Sequence, residues 1–529
     1  MNNWIQLPVD PEDAKYISDA FSVSLLSGQI FSLYPEFKSL NYSSQWLYPK
    51  LNELPVSFSC LPDLDKLLKC ITEVDCIGII SDYDADGILS FIMWKQYLEH
   101  IGKKIIYYIP ERIEGYGPNN EAIQFLLNNN ADLILALDCG THYNWDKLKI
   151  KVCIIDHHLT NEIPKCVAFI NPYRPDFNSP YIDYYLNICT TGLSFIVLKF
   201  FDKHLKLKYA SKLIDLAAVG TIADMMPLTK YNRALVSAGI YKLNTAPNVA
   251  LTLLIKQTYK GISSLDVGYF LAPKINSAGR LNNAKCVIQV MQGAHEFIDQ
   301  LEILHAQRKE LCKNIMASLE NLYTYAGAIV TSSASITHGL AGIVASRIKE
   351  QYKKTSFALS IIDDYYLGSG RAIHGFNIGS WVKNQVEQGI CSSGGGHIGA
   401  AGLVIPKQNY SSFLTNVAKI LPSVETLYQY YYAETTLIAL KLNSGEFDLL
   451  EPFGNGNPAP KFLIRNVKII SIRNFSDVFS RAEIGDLTTR LNIYAFNLNN
   501  RLKISMENYN IILEYLGKEK YKILDLWGE

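Results

Sequence analysis

The chain has 529 residues, 48% of them hydrophobic and 19% charged, which is enough apolar mass for several buried cores and too little charge for a disordered chain. Lys plus Arg and Asp plus Glu both number 50, so no global basic field marks a polyanion binder, and any polyanion must be held by local clusters or metal ions. No stretch approaches the ~18 apolar residues of a membrane span, and the amino-terminal stretch lacks the basic flank and apolar core of a signal peptide. The ten cysteines form no C-x-x-C pair, so we expect a cytoplasmic protein without membrane contact, disulfides or a zinc ribbon.

In chain order, AKYISDAFSVSLL and LPDLDKLLKCI carry helical spacing and predict a small helical lead-in over residues 1–70. From residue 76 the pattern becomes strand, loop, helix: CIGIIS, a helix over 87–101, KKIIYYIP, a helix over 119–129, ADLILALD and KVCIID. Short apolar strands alternating with helices predict an α/β fold whose parallel sheet is covered on both faces, with its site beyond the carboxyl ends of the strands. LIDLAAVGTIADMMPL predicts an apolar helix delivering Asp224 at its end, and HEFIDQLEILHAQRKELCKNIMASLENLYTY predicts one long helix between the two halves of the chain. After about residue 426, KFLIRNVKIISIRNF and RLNIYAF predict a β-barrel. Its aromatics Phe475, Phe479, Tyr494 and Phe496 are candidates for stacking on bases, although strand aromatics are more often core.

Polar residues fall where the parallel sheet would place a site. Asp82 and Asp84 follow the first strand, Asp138 ends LILALD, Asp156, His157 and His158 end VCIIDHH, and Asp224 ends the later helix. Each aspartate alone reads as a turn or cap residue, and the adjacent histidines as one core and one solvent-facing residue. DYDADG is not a calcium loop of the EF-hand type, because Met93 stands where that loop needs Glu. Together, acids and imidazoles converging on one sheet edge point to a cation site. An oxygen-rich set with imidazole and no thiolate suits Mn²⁺ or Mg²⁺, Cys139 being directed to the opposite face from Asp138. The charge exceeds what one ion needs, so two ions ~3.5–4 Å apart are expected, an arrangement suited to phosphoester hydrolysis.

SDYDADG, LDCGT, IDHH and GTIAD, in this order, resemble the four motifs of the DHH phosphoesterase superfamily, and GGGHIGAAG at 394–402 resembles the glycine-rich signature of its associated domain. IPERIEGYG at 109–117, INSAGRL at 275–281, GSGRAI at 368–373 and PFGNGNPAP at 452–460 narrow the resemblance, over roughly residues 15–529, to the RecJ family of bacterial single-strand-specific 5′→3′ exonucleases. The resemblance implies a DHH catalytic domain over 71–285, a connecting helix over 286–325, a DHH-associated domain over 326–425 and an OB-like single-strand-binding barrel over 426–529.

It further implies Asp82, Asp84, Asp138, His157 and Asp224 as metal ligands, with Asp138 bridging two ions, Asp156 orienting a histidine and His158 beside the scissile phosphate. Asp86 would cap the helix beginning near Gly87. Ser369, Arg371, Gly395, Gly396 and His397 would grip the terminal 5′ nucleotide, and Arg112 and Arg280 would line a cleft admitting one strand. The implied activity is metal-dependent hydrolysis of single-stranded DNA to 5′-mononucleotides in recombination and repair, by a monomer working with a helicase and a single-strand-binding protein. A DHH phosphodiesterase for short oligonucleotides or cyclic dinucleotides, and a non-catalytic single-strand-binding relative, are the alternatives. The chain departs from the pattern at Gly78, where short superfamily members carry a histidine, at Thr337, with His338 one place later, and at His305, where Asn is frequent.

Overall fold

A computed structural model describes residues 4–38, 40–54, 61–255, 261–319, 322–422, 429–476, 479–496, 498, 501–504 and 507–528. The expected domain boundary at 425/426 lies outside the described residues. The chain divides into two compact units: one comprises residues 277–283 and 299–429 with the first four residues, the other residues 5–276, 284–298 and 430–529.

The larger unit contains a five-stranded parallel sheet of β1 (Cys76–Ser81), β2 (Lys104–Tyr108), β3 (Leu133–Leu137), β4 (Lys151–Ile155) and β5 (Ala168–Ile170), in the spatial order β2-β1-β3-β4-β5. All residues of β1 and β3 are buried, as the unbroken apolar runs of CIGIIS and LILAL require of strands covered on both faces. On one face Ile80, Ile134, Ala136, Val152 and Ile154 pack on Ala122, Ile123 and Leu126 of α2 (Asn120–Asn128). The helices α1 (Ala85–His100), α3 (Thr190–Leu205) and α4 (Ile214–Ala223) pack against one another, and Trp94 Nε1 of α1 donates to Ser194 Oγ of α3 over 3.0 Å. The predicted helix over 87–101 starts two residues earlier, because Asp84 is its N-cap. At position 78 a side chain would come within 3.0 Å of Ala131 and Leu126, so Gly78 marks close packing of β1 against the α2 side and points away from the acidic edge.

The same unit holds a closed barrel of β12 (Lys461–Ser476), β13 (Phe479–Gly485), β14 (Arg490–Phe496), β15 (Tyr509–Tyr515) and β16 (Tyr521–Gly528), in the order β12-β13-β14-β16-β15, with β15 returning to pair with β12. The amino-terminal segment is not a separate lead-in. Ile17, Ile30, Phe31, Tyr34, Phe37 and Trp46 share one core with Leu440, Phe447, Phe462, Ile493 and Tyr521. The apolar faces of short helices are too small to fold alone and are covered here by the barrel.

The smaller unit is a six-stranded mixed sheet of β6 (Leu322–Thr324), β7 (Ala328–Ser333), β8 (Thr355–Ile362), β9 (Tyr365–Arg371), β10 (Ser393–Gly396) and β11 (Ala400–Pro406), in the order β10-β11-β9-β8-β7-β6. It carries α7 (His338–Tyr352) and α8 (Ile378–Glu387). The long helix predicted over 295–325 is shorter: α6 spans Ile298–Ala317, and Leu322–Thr324 instead pairs as a strand with Thr331–Ile329. Residues 320 and 321 of that prediction lie outside the described residues.

One buried cation ties the larger unit together. Arg233, 1% exposed, lies on α5 (Lys230–Thr245) with its guanidinium 3.6 Å from the Trp46 ring. It donates to the carbonyls of Trp46, Leu449, Leu450 and Glu451 at 2.7–3.2 Å. Replacing it leaves buried carbonyls without donors, so Arg233→Met should cost ~3–5 kcal/mol, read as a lower urea midpoint; an unchanged midpoint would refute the staple.

Candidate functional site

The acids line up because the sheet's hydrogen-bond ladder continues one residue past each strand. Asp82 N donates to Leu137 O, Asp138 N to Ile155 O and Asp156 N to Ile170 O, at 3.3, 3.0 and 3.1 Å. Each aspartate is thereby pinned to the last carbonyl of the neighbouring strand. Asp138 adopts a left-handed backbone with φ of 58°, a conformation aspartate tolerates better than most residues. Gly87 is needed beneath this loop, since a Cβ there would lie 2.4 Å from Asp82 O.

Ligand-type atoms form three overlapping groups, the members of each within 4.8 Å: Asp82, Asp84 and Asp138; Asp138, His157 and His158; and Asp86, His157 and Asp224. His157 Nε2 stands 3.4 Å from Asp138 Oδ1 and 3.4 Å from Asp224 Oδ2. Asp138 and His157 are each shared by two groups, the geometry a bridging carboxylate and a common imidazole would have. Among the described residues, buried oxygens Asp82 Oδ1 and Asp224 Oδ2 have no hydrogen-bond partner, which in a buried site costs free energy that a cation would recover. The donor set therefore fits divalent metal.

Electrostatics sort the carboxylates. Burial, then the charge of Asp84, pushes Asp82 up to about 8. Burial and neighbouring aspartates, Asp86 foremost, hold Asp138 and Asp224 well above the usual carboxylate range and raise Asp84. Asp156 behaves oppositely. Burial opposes its ionisation, but the charge and hydrogen bond of His158 and the Thr141 hydroxyl outweigh that and hold it below the usual range. Its Oδ1 lies 2.7 Å from His158 Nδ1 and accepts from the His157 and His158 amides, while Oδ2 accepts from Thr141 N and Oγ1. Although burial works against it, Asp156 raises His158 to about 9.

Asp86 requires a correction. The cap of α1 is Asp84, whose Oδ1 accepts from the Asp86 and Gly87 amides. Asp86 is 1% exposed and caps a different helix, accepting from Thr190 N, Thr191 N and Thr191 Oγ1 at the start of α3. Cys139 lies in the core on the far face, as expected. Sequence reasoning passed over Thr190, whose hydroxyl donates to Asp138 Oδ1 over 2.9 Å, and Tyr116, whose hydroxyl donates to Asp138 O over 2.8 Å and lies 3.1 Å from His158 Nδ1. Tyr116 lies within IPERIEGYG, so its motif was visible but its role was not. Arg112 sits 4.4 Å over the Tyr83 ring, with a buried Nε lacking a partner, and its charge acts on Asp82.

The remaining candidates lie in the smaller unit. Register places Ser369, Gly402 and Gly395 side by side on β9, β11 and β10, with Arg371 opposite Ala400. The segments GSGRAI and GGGHIGAAG are thus adjacent in space, with Gly395, Gly396 and His397 exposed. Arg280 belongs to this unit, donating from Nη1 to Gly339 O over 3.1 Å. In the larger unit the four candidates Phe475, Phe479, Tyr494 and Phe496 lie outside the barrel core that holds Phe462 and Tyr521. Phe475 and Phe496 are 53% and 40% exposed. Phe479 stacks within 5.4 Å of Phe475, 4.9 Å of Phe496 and 6.2 Å of Tyr494. Arg473, Arg481 and Lys522 lie over rings of this row.

Among known proteins, the DHH family N-terminal domain matches residues 76–221, the DHHA1 domain 323–422 and the RecJ OB domain 441–522. The single-stranded-DNA-specific exonuclease RecJ of Bacillus subtilis is 26% identical over 468 residues, covering 82% of this chain and 58% of its own length. The Thermus thermophilus protein of that name is 29% identical over 408 residues, covering 73% and 59%. The chain thus spans a little under three fifths of the length of these two relatives. Crystalline Thermus thermophilus RecJ in complex with Mn²⁺ superposes with a TM-score of 0.75 at 22% identity, covering 99% of this chain and 79% of that one. A second structure, exonuclease RecJ bound to manganese, gives a TM-score of 0.55 at 26% identity over 69% of this chain and 95% of that one.

The raised carboxyls make a sign-definite prediction for ion-free protein. They keep protons in the fold that the unfolded chain releases above pH ~4, so stability should fall as pH rises from about 4 toward the value near 8 given for Asp82. His158 adds to the decline, its contribution being lost as pH climbs toward about 9. Melting temperatures in chelator should therefore drop between pH 5 and pH 8, and Mn²⁺ should flatten the drop in the parent but not in Asp138→Asn. Parallel curves with and without Mn²⁺ would refute the metal assignment.

Proposed function

From the DHH, DHHA1 and RecJ OB domains that the chain carries in series, we propose that it is a metal-dependent exonuclease hydrolysing single-stranded DNA 5′→3′ to 5′-mononucleotides. The observation that carries this reading is the sharing of Asp138 and His157 between adjacent ligand groups, with buried carboxylate oxygens left unpartnered. No helix among the described residues is long and apolar enough to cross a membrane.

In this reading Asp82, Asp84, Asp138, His157 and Asp224 hold two Mn²⁺ or Mg²⁺ ions, with Asp86 at the edge of the set. Bound metal would supply a water acidic enough to attack at neutral pH and charge to stabilise the leaving 3′ oxygen. Asp156, ionised and locked by Thr141, keeps His158 protonated and aimed as a donor to the scissile phosphate. Tyr116 buttresses both that imidazole and the backbone of Asp138. Arg112 binds phosphate near Asp82.

Ser369, Arg371, Gly395, Gly396, His397 and Arg280 receive the 5′-terminal phosphate, for which a guanidinium fork and exposed glycine amides are chemically suited. The row Phe475, Phe479, Tyr494 and Phe496 stacks unpaired bases while its cations meet the backbone, a contact duplex cannot offer. A helicase that supplies unwound strands and a single-strand-binding protein that covers them are the partners this chemistry calls for, in recombination and repair. The protein would act as a cytoplasmic monomer.

End-labelled single strands and matched duplex, incubated with Mn²⁺, Mg²⁺ or chelator, test this. Mononucleotides should appear from 5′ ends of single strands only, and Asp138→Ala should slow release at least ~10³-fold. Cleavage confined to di- and trinucleotides, or binding without cleavage under every metal, would overturn it. The barrel row makes a separate prediction. Phe479→Ala with Phe496→Ala should weaken binding of a 20-nucleotide strand by ~1–3 kcal/mol per lost stack, while trinucleotide hydrolysis stays within a factor of two; equal losses on both substrates would place the row outside DNA binding.

A further inference from the structure

The two faces of the smaller unit's sheet are built differently. A Cβ on Gly370 of β9 would lie 2.4 Å from Ile378 and 2.9 Å from Phe357, so this position points toward α8. Ser369 and Arg371 flank it and point the other way, as alternation along a strand requires. On that side a Cβ on Gly342 of α7 would lie 2.7 Å from Arg371 Nη2 and 3.6 Å from Ser369 Oγ. The α8 face is therefore separate from the one that carries Ser369 and Arg371.

On the α8 face a cavity of about 750 Å³ opens between α8, residues 373–376 and the end of α9 (Tyr410–Val417). Small-molecule sites have volumes of this order. Its wall combines rings with carboxamides. Trp381 and Phe376, both half-buried, have ring centroids 6.5 Å apart. Lys419 Nζ donates to Asn416 Oδ1, Asn416 Nδ2 to Gln385 Oε1 and Gln388 Oε1, and Gln388 Nε2 to Asn384 Oδ1, at 2.9, 2.9, 3.3 and 2.5 Å. An ammonium has donors only, so Lys419 fixes the direction of the whole ladder. Every amide oxygen in it is filled from within, and the groups left over are N–H donors. Gln385 Nε2, Asn384 Nδ2 and the neighbouring Trp381 Nε1 have no acceptor among the described residues. Gln385 is 3% exposed, so bulk water does little to satisfy its donor, and an acceptor on a ligand would.

The geometry points to a binding site on this face for a 6-oxopurine nucleoside, a neutral ligand with a flat ring and acceptors along one edge. A purine ring suits the Trp381 and Phe376 surfaces. O6 and N7 of a 6-oxopurine both accept, whereas adenine carries an amino donor at that edge, which would face the wall's own donors. Lys419 is already engaged by Asn416, so the wall favours a base over a phosphate. The site also touches the glycine-rich segment through α8, whose Ile378 and Gly379 amides donate to Ile398 O and His397 O at 3.2 and 3.0 Å.

Calorimetric titration of the full-length protein in chelator, with inosine and adenosine as probes, tests this. The parent should bind inosine ~10-fold tighter than adenosine. Amide hydrogen exchange over residues 378–388 should slow with inosine. Asn384→Asp, on an exposed side chain, removes one donor but keeps the acceptor for Gln388. It should weaken inosine ~5-fold at an unchanged melting temperature, and leave the affinity for the trinucleotide pdTpdTpdT within a factor of about two. Equal affinity for the two nucleosides, no binding of either, or an Asn384→Asp protein that binds inosine as the parent does would each overturn the proposal. A matching loss on the trinucleotide would make the cavity part of the strand's path and overturn it as well. No arm involves cleavage, so failure here leaves the exonuclease reading standing, and failure of that reading leaves this site standing.

Discussion

Like charges confined at the edge of one parallel sheet are the constraint around which the larger unit is arranged. Asp82, Asp138 and Asp156 occupy equivalent steps past three neighbouring strands because each donates its amide to the last carbonyl of the next strand. The backbone leaves these carboxylates no freedom to separate. Burial removes water as a diluent, so the group relieves its repulsion by keeping protons or by binding cations. Helix α3 offers partial relief through its first amides and hydroxyls, which donate to Asp86 and Asp138, at a position where the helix dipole is also favourable. What it leaves unsatisfied, Asp82 Oδ1 and Asp224 Oδ2, is what metal would satisfy.

A net charge of zero conceals this organisation. The larger unit gathers carboxylates at its sheet edge, and the smaller holds Arg308 on α6, Arg347 on α7 and Arg371 on β9 with no ion pair among the described residues. Summed over the chain they cancel, but each local field is strong where it is buried. A net charge of zero therefore says nothing against strong local fields of either sign.

The parallel sheet and its acidic edge were legible because both are local: apolar runs of strand length, each followed by an acid, with period and position visible in the string. Asp82, Asp84, Asp138, Asp156, His157, His158 and Asp224 fall at that edge by position, whereas the choice of Asp82, Asp84, Asp138, His157 and Asp224 as ligands comes from the resemblance; the structure brings these five together in overlapping groups. What escaped depends on partners far along the chain. Asp86 reads as a cap for the helix it begins, yet its carboxylate serves residues 190 and 191, roughly a hundred positions away. The amino-terminal helices read as an independent lead-in because amphipathic spacing shows that a face is buried but not against what, and here the cover is the barrel. The connecting helix was overextended because periodicity runs on through LENLYTY, whereas pairing of Leu322–Thr324 with the next strand ends it. Strand aromatics suggest core by frequency, and the exposure of Phe475 and Phe496 shows that this row reaches the surface.

Asp156 shows how one edge holds two kinds of carboxylate. It shares the strand-end position, the burial and the neighbours of Asp138, yet it is held ionised while Asp138 is held toward its protonated form. The difference lies in donors. Asp156 accepts from two backbone amides, a threonine amide and hydroxyl, and an imidazole, whereas Asp138 has the Thr190 hydroxyl and lies among other acids. A carboxylate whose lone pairs are already filled by protein donors has little left to offer a metal, but it can fix the direction and charge of a histidine; one left short of donors is a ligand in waiting. Hydrogen-bond supply therefore divides a row of chemically identical side chains into one held ionised and others held toward their protonated form, and it does so through Thr141 and Thr190, residues that carry no charge at all.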